Sequence, residues 1–459
     1  MLLLLCPLAL AGDLLIDNAW LWDGTGAARR GPLDVLVADG RVVEIAPTIL
    51  AQPGATVLDG AGATLIPGLI DSHVHLSMDP GAAWREDGPE ARDLLLQQHL
   101  AAYLAVGVTT ILDPAVSGAD LARIRFALEA GLPGPRYLTL GTPFSPEGGY
   151  PAVVVPGFPT VATPEDVERH FGELEDESVV GIKVTVEEGP AGRIWPLYTP
   201  EVTAAIRDGA AARGLPVYAH AFSPEDQIKA LDELGASVMV HAPDRVDRDL
   251  IARVVREHIP EISTISPFDA FRYSFTPSLL DDPLIQLTVP AIEQEVVRDR
   301  ALKRGFFKTF LETVSPRLPL PGLFSRALRP PLAVQRRHIS RSIGALHHAG
   351  ATIVMGSDAG NWPIFPFLFH GPTSIRELEL LVHAGLSAPE ALRSATAAPA
   401  AMLGLSGEIG TVQVGAAADL VLVEGDPLQD VAALQHVRWT VRAGEARTPA
   451  GWMAETRWP

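Results

Sequence analysis

His73 and His75 stand one residue apart at the end of the apolar run "LIPGLIDSHVHLSM". On an extended strand that spacing turns both imidazoles to one face, where two nitrogen lone pairs can hold a divalent cation. With 13 histidines in 459 residues, roughly 0.4 such pairs arise by chance, so the pair means little alone. Further residues of the right chemistry end later apolar runs: Lys183 in "VVGIKV", His220 in "PVYAHA", His241 in "SVMVHAP" and Asp358 in "TIVMGSD". Imidazoles and a carboxylate are ligands for a hard or borderline cation, and a carboxylate beside a cation can also move a proton. Their shared position in successive short runs argues for a metal site rather than scattered core histidines.

The elements that must position these residues follow from the same runs. Eight of them ("GLIDSHVH", "TTILDP", "RYLTLG", "VVGIKV", "PVYAHA", "SVMVHAP", "EISTIS" and "TIVMGSD") alternate with helical segments. "TPEDVERHF", "TPEVTAAIRDG" and "SPEDQIKALDELG" each open with Thr or Ser at the cap, then Pro and an acid, as helix starts do. The expected fold class is therefore α/β, a (β/α)8 TIM-type barrel with the six residues at the C-terminal ends of its strands. Residues 13–66 and the stretch from Gly407 to about Pro449 read instead as strands and turns, including the hairpin signal Asp39-Gly40. The chain ends are expected to form one small β-sandwich, its first part 13–66 and its second 403–459, around a barrel at 67–402.

Between the seventh and eighth runs, Pro267 to about Leu332 is too long for a loop-helix-loop connection and reads as an insertion over the mouth, a lid. Residues 298–341 hold eleven Lys or Arg against Asp299 and Glu312, with Phe306, Phe307, Phe310 and Phe324 interspersed. Such a segment suits peripheral contact with an anionic membrane surface or an acidic partner; a helical insert with solvated charges is the plainer reading.

Composition narrows the partners. Hydrophobic residues make up 47% and charged residues 20%, enough for a large core. The net charge of −19 argues against nucleic acid, and no apolar run approaches the ~20 residues of a membrane-spanning helix. Cys6, the single cysteine, lies in "MLLLLCPLALAG", whose Ala9-Leu10-Ala11 has the form of a signal-peptide cleavage site. Residues 1–11 are thus expected to be a signal peptide and the protein to be exported, leaving no cysteine for a disulfide or a metal.

The stretches "IPGLIDSHVH", "GVTTILD", "GIKV", "AHA", "VHAP", "GSDAG", "RELELLVHAGLSAPEALRSATAAPAAMLGL" and "GTVQVGAAADLVLVEGDPL", in this order, resemble the amidohydrolase superfamily. The last two look especially like the branch with imidazolonepropionase and the metal-dependent Xaa-Pro dipeptidases. The resemblance implies the barrel, the terminal β-sandwich and hydrolysis of an amide-type bond in a small molecule or peptide. It makes His73 and His75 ligands of a buried metal, His220 and His241 ligands of a second, and Asp358 the acid that touches the first metal and handles the proton.

An unmodified Lys183 ammonium has no lone pair and cannot ligate; carbon dioxide would convert it to an anionic carbamate that bridges two cations. Otherwise Lys183 makes an ordinary structural salt bridge. Two divalent ions, zinc before manganese or cobalt, would activate a water for attack on the carbonyl. Relatives of this kind often carry Gly-Gly-His where this chain has "GTPFSPEGGY", ending in Tyr150, and a tyrosine where it has Phe222. Tyr150 can donate a hydrogen bond to substrate and Phe222 cannot, which argues against a dipeptide with a free carboxylate. Arg193, Tyr198 and His370 fall on mouth loops without an assignable role. A one-metal deaminase or lactam hydrolase, and a non-catalytic binding protein, are the alternative functions. If the leader is removed on export, N-terminal sequencing of protein from the native host returns Gly12 first; an intact Met1 in a cytoplasmic fraction contradicts export.

Overall fold

The computed structural model describes residues 13–77, 89–155, 157–189, 195–299, 324–361, 365, 367–454 and 456. The expected leader, Arg193 and residues 300–323 of the basic segment, with Phe306, Phe307 and Phe310, lie outside the described residues.

Both chain ends contribute to one mixed sheet. Its strands are β1 (Leu14–Leu21), β2 (Arg30–Ala38), β3 (Arg41–Ala46), β4 (Thr56–Asp59) and β5 (Ala63–Pro67), then β14 (Leu420–Glu424), β15 (Val437–Arg442) and β16 (Glu445–Arg447). They lie in the order β16-β15-β14-β5-β1-β2-β3, with β4 also paired to β1. The seam is β5 against β14, antiparallel from Ala63↔Glu424 to Pro67↔Leu420. At the expected hairpin, Asp39 and Gly40 have φ of 51° and 72°, the left-handed pair that a two-residue turn between twisted strands requires. Ile16, Leu21, Val35, Leu65, Leu420 and Leu422 are fully or almost fully buried in a core belonging to this sheet.

Each of the eight apolar runs contains a short parallel strand. β6 (Leu69–Asp71), β7 (Val108–Asp113) and β8 (Arg136–Thr139) form one sheet. β9 (Ile182–Thr185), β10 (Val217–His220), β11 (Val238–Val240), β12 (Glu261–Ile262) and β13 (Ile353–Val354) form another in sequential order. Backbone bonds link the two sheets along both edges. Val180 N–H donates to Thr139 O (3.0 Å) and Phe144 N–H to Lys183 O (2.9 Å); on the other side Ser72 N–H donates to Met355 O (3.1 Å) and Asp358 N–H to His73 O (2.7 Å). Nearly every residue of these strands is buried, as expected of parallel strands covered on both faces. The intervening helices begin where the caps placed them: Thr163, Thr199 and Ser223 each accept from a backbone N–H of the first turn.

The long connection after β12 is helical in its described parts, with short elements at Ser266–Ala270, Arg272–Phe275, Pro277–Asp281, Pro283–Thr288 and Ala291–Arg298. The helix Phe324–His348 continues past 332 and leads into β13, so the last part of the expected insertion belongs to a helix of the α/β alternation. Phe271, Leu280, Ile285 and Val297 bury against Phe367 and Phe369 from the loop after β13. Asp269 holds this layer down, pairing with Arg336 at 2.9 Å and Arg376 at 2.8 Å. Among the described residues no helix is long and apolar enough to cross a membrane.

One carboxylate ties the terminal sheet to the parallel strands. Asp419, 4% exposed, accepts from Arg442 (3.1 Å), from the Ala443 N–H (2.8 Å) and, at 3.4 Å, from Arg136 at the start of β8. Burial alone would raise its carboxyl, but Arg442, Arg136 and the Ala443 N–H outweigh burial and hold it below the ordinary aspartate value. A carboxyl depressed in the folded state contributes stability that is present above its unfolded pKa and lost as pH falls through the folded one. Asp419→Ala should therefore cost about 2 kcal/mol at neutral pH, because it leaves two half-buried guanidinium groups and a backbone N–H without their shared acceptor. Urea denaturation checks this: the deficit should shrink as pH is lowered towards 3, and a pH-independent deficit contradicts the assignment.

Candidate metal centre

His73 and His75 lie just past β6, where the extended chain continues and its alternation holds. Their Nε2 atoms are 3.1 and 3.0 Å from the same atom, Asp358 Oδ1, in the loop after β13. One ligating atom from each of the three lies within 4.8 Å of the others, a grouping that can hold a metal ion. His241, just past β11, brings its ring to 5.0 Å from that of His73, and His220, ending β10, brings its ring to 4.4 Å from His241. Lys183, on β9, is 5% exposed. The structure thus gathers His73, His75 and Asp358 into a tight triad with His241 and His220 beside it, and Lys183 lies close enough for its charge to act on His73 and for that of Asp358 to act on it.

These groups are buried with too few partners. Asp358 Oδ1, Lys183 Nζ and the Nδ1 atoms of His73 and His75 are buried without a hydrogen bond, although two imidazole nitrogens crowd Asp358 Oδ1. Each unmet group of this kind costs on the order of 1–3 kcal/mol unless something else compensates it. A cation does so for lone pairs that converge on one point, and the N/O donor set fits zinc or a similar divalent ion. Burial, reinforced by Lys183, pushes His73 down to about 3, and burial lowers His220 and His241 as well, so the imidazoles are neutral with lone pairs free to ligate. Burial also pushes Lys183 down to about 7, against the opposing charge of Asp358.

Supporting contacts aim the ligands. His241 Nδ1 is 2.7 Å from Thr264 Oγ1, and Asn361 Nδ2 donates to Asp358 Oδ2 at 2.8 Å, which leaves Oδ1 for the histidine side. His241, Thr264 and Asp358 have φ of 75°, 45° and 57°, a left-handed backbone unusual for such residues and costly to hold. Gly356 is required here, since a Cβ would come within 2.7 Å of His73 Cβ.

Tyr150 packs its ring 4.9 Å from His220, and burial raises its hydroxyl well above the ordinary value, so it is a donor. Phe222 stacks on His241 at 5.1 Å. Tyr198 spends its hydroxyl on Phe144 O (2.7 Å), a structural bond. His370 is buried on the His75 side of the triad, its Nδ1 2.8 Å from the Tyr103 hydroxyl and its ring 4.0 Å from His99.

Parallel strands that gather buried histidines, a lysine and an aspartate at their C-terminal ends define a metal-binding α/β protein. The chain belongs to the amidohydrolase family, whose model matches residues 64–446. Solved structures of similar fold include a Xaa-Pro dipeptidase with bound methionine (TM-score 0.73, 22% identity, 95% of this chain and 100% of that one). Another is a putative prolidase from Bifidobacterium longum (TM-score 0.68, 24% identity, 98% and 100%). At these identities the likeness is one of fold. Among characterised sequences, the dihydroorotase of Citrifermentans bemidjiense is 49% identical over 55 residues, which are 12% of this chain and 13% of that enzyme. The chain thus matches that relative over about an eighth of its length.

Several residues near the site were not legible in the sequence. Glu187, two residues beyond β9, places its carboxylate 3.6 Å from His220 Nε2. Thr264 and Asn361 had no signal beyond adjacency to strand ends. Glu293 of the helix Ala291–Arg298 meets His99 of the helix Pro89–Ala105 at 2.6 Å, both buried, and so pins the insertion to the body beside His370. Glu293→Ala removes this bond and should speed hydrogen exchange at least tenfold over residues 283–298, while β14 and β15 stay protected. Unchanged exchange over that segment would mean that the pair does not hold it.

Proposed function

We propose that the protein is a metal-dependent hydrolase of an amide-type carbon–nitrogen bond in a peptide, an N-acyl amino acid or a cyclic amide. The observation that carries this reading is Asp358 Oδ1, buried, without a hydrogen bond, and 3.1 and 3.0 Å from the Nε2 atoms of His73 and His75, with a second histidine pair and a buried lysine amine nearby. We take the two parallel sheets as one closed (β/α)8 barrel and the terminal strands as a small β-sandwich packed beside it, the bonds along both sheet edges being the support for closure.

His73, His75 and Asp358 would hold one divalent ion, and His220 with His241 a second, with zinc suited to both. A carbamate on Lys183 would bridge them, which suits an Nζ that is buried without a partner. When bound, such ions lower the pKa of water and polarise a carbonyl. The protein's own groups do the rest. Asp358 is fixed by Asn361 so that Oδ1 accepts the proton of the attacking water and delivers it to the leaving nitrogen, which departs as a neutral amine. Thr264 holds the orientation of His241. Tyr150, protonated and beside His220, is placed to donate to a substrate oxygen. The described part of the insertion brings Phe268 against Phe222 beside the site, which supports reading it as a lid that would shield the site from water.

The test joins metal analysis to hydrolysis of a panel of dipeptides, N-acyl amino acids and lactams. Reconstituted wild type should hold two metals per chain and cleave at least one member. Lys183→Ala should hold at most one and lose at least a hundredfold in rate, with partial recovery when a short carboxylic acid is supplied. Full metal content and rate in Lys183→Ala would exclude the bridge, and metal-loaded wild type inert towards all three classes would overturn the hydrolase reading.

A further inference from the structure

Thr264, in the loop after β12, has φ of 45°, a left-handed backbone that a β-branched residue adopts at a cost. Its Oγ1 is 2.7 Å from His241 Nδ1. A residue stays in such a conformation where its surroundings over-determine it. Here one side chain does so. Glu377, on the helix Pro372–Ala384, is fully buried. Its Oε1 accepts from the Ser263 hydroxyl and the Ile265 N–H (2.9 Å), and its Oε2 from the Ser266 hydroxyl and the Ser266 N–H (2.8 Å). These four donors flank Thr264 on both sides.

A carboxyl group is expensive to bury, and four donors from one short loop offset that cost. Two of the four are backbone N–H groups, so the clamp fixes the chain itself. The His241 main chain is held separately: its N–H donates to Ile262 O (3.1 Å), and its carbonyl accepts from Gln227 Nε2 (3.0 Å). What remains to be set is the ring, and Thr264 Oγ1 is the hydrogen-bond partner at its Nδ1. A neutral imidazole carries its proton on either nitrogen, and the bond made by one nitrogen decides the state of the other. With Thr264 Oγ1 accepting, the proton sits on Nδ1 and Nε2 keeps its lone pair.

Resting on the hydrolase reading above, in which His241 is a ligand, we propose that Glu377 is a positioning residue for that ligand. By clamping residues 263–266 it holds Thr264 in its left-handed conformation, and Thr264 keeps the His241 proton on Nδ1 and the Nε2 lone pair for the cation. The effect belongs to the His220 and His241 half of the site. The triad has supports of its own: Asn361 on Asp358, and Asp71, whose Oδ1 accepts from the N–H groups of His73 (3.2 Å) and Ser357 (3.0 Å). Outer partners that orient a ligand in this way govern metal affinity by about 10–100-fold.

The test uses the full chain with 15N-labelled histidine, read by NMR at about pH 8, above the ordinary histidine pKa, and then titrated with zinc. The His241 signals are identified by their loss in His241→Gln. Wild type should show a protonated Nδ1 and a bare Nε2. Thr264→Val and Glu377→Gln should each move His241 to a mixture of tautomers and weaken one of the two zinc-binding steps about tenfold, leaving the other nearly unchanged. Thr264→Ser should keep the wild-type tautomer. Glu377→Gln added to Thr264→Val should cause no further loss, because the two act in series. Asp419→Ala, destabilised in the terminal sheet, should leave the tautomer alone. If Glu377→Gln fails to fold, Ser266→Ala, which spares both backbone donors, carries the test and should show a smaller shift; no shift there overturns the inference. A folded Glu377→Gln with the wild-type tautomer overturns it and leaves the hydrolase reading standing. An equal loss at both zinc steps, or one that adds to that of Thr264→Val, reduces Glu377 to a structural residue and also overturns it. The expected tautomers in a protein that binds no zinc support the inference and count against the hydrolase reading.

Discussion

The structure depends on a set of polar groups that the protein buries and then leaves unmet. Asp358 Oδ1, the Lys183 amine and the outer nitrogens of His73 and His75 have no hydrogen-bond partner although their residues are at most 7% exposed. Nothing in ordinary packing rewards that arrangement, since every such group costs free energy on folding. Left-handed backbone at His241, Thr264 and Asp358 adds to the cost. A cation held by Asp358 Oδ1 and the inner histidine nitrogens would return the cost of that bare carboxylate oxygen, which is the kind of arrangement a fold keeps where a bound ion is used. The surrounding framework is correspondingly firm: parallel strands with almost no exposed residue, linked edge to edge by backbone bonds.

Around that centre, separate parts carry separate tasks. The histidines and Asp358 come from strand ends, whose geometry is set by the sheets, so these side chains are rigidly placed. The aromatic and acidic groups come from loops and from the insertion, whose sequence is freer to vary while the strands stay in place. The insertion is not loosely attached: its apolar layer and the Asp269 pairs with Arg336 and Arg376 bind it to the helices that flank β13. The terminal sheet is held by Asp419, which couples β15 to β8 across the chain's two halves.

Much of this was legible in the sequence, for physical reasons that differ by element. All eight parallel strands were marked by apolar runs because strands covered on both faces have no polar side to disguise them. Helix starts at Thr163, Thr199 and Ser223 were legible because capping is local, and so was the Asp39-Gly40 turn. His73 and His75 could be placed on one face from strand alternation, and Lys183, His220, His241 and Asp358 near them from their places at the ends of apolar runs. Glu187 was missed because its place depends on the path of a loop, and Glu293 because its partner His99 is 194 residues away. The helix Phe324–His348 outran the expected end of the insertion because basic residues and paired prolines hid its register.

The central claim is that Asp358, Lys183 and the four histidines hold two cations through a carbamate. Diffraction from crystals of the zinc-loaded protein at high resolution, with anomalous data at the zinc edge, tests it most directly. The account predicts two anomalous peaks, one beside His73, His75 and Asp358 and the other beside His220 and His241, with three atoms of extra density on Lys183 Nζ. A single peak with a bare lysine amine turned away from it would contradict the two-metal account.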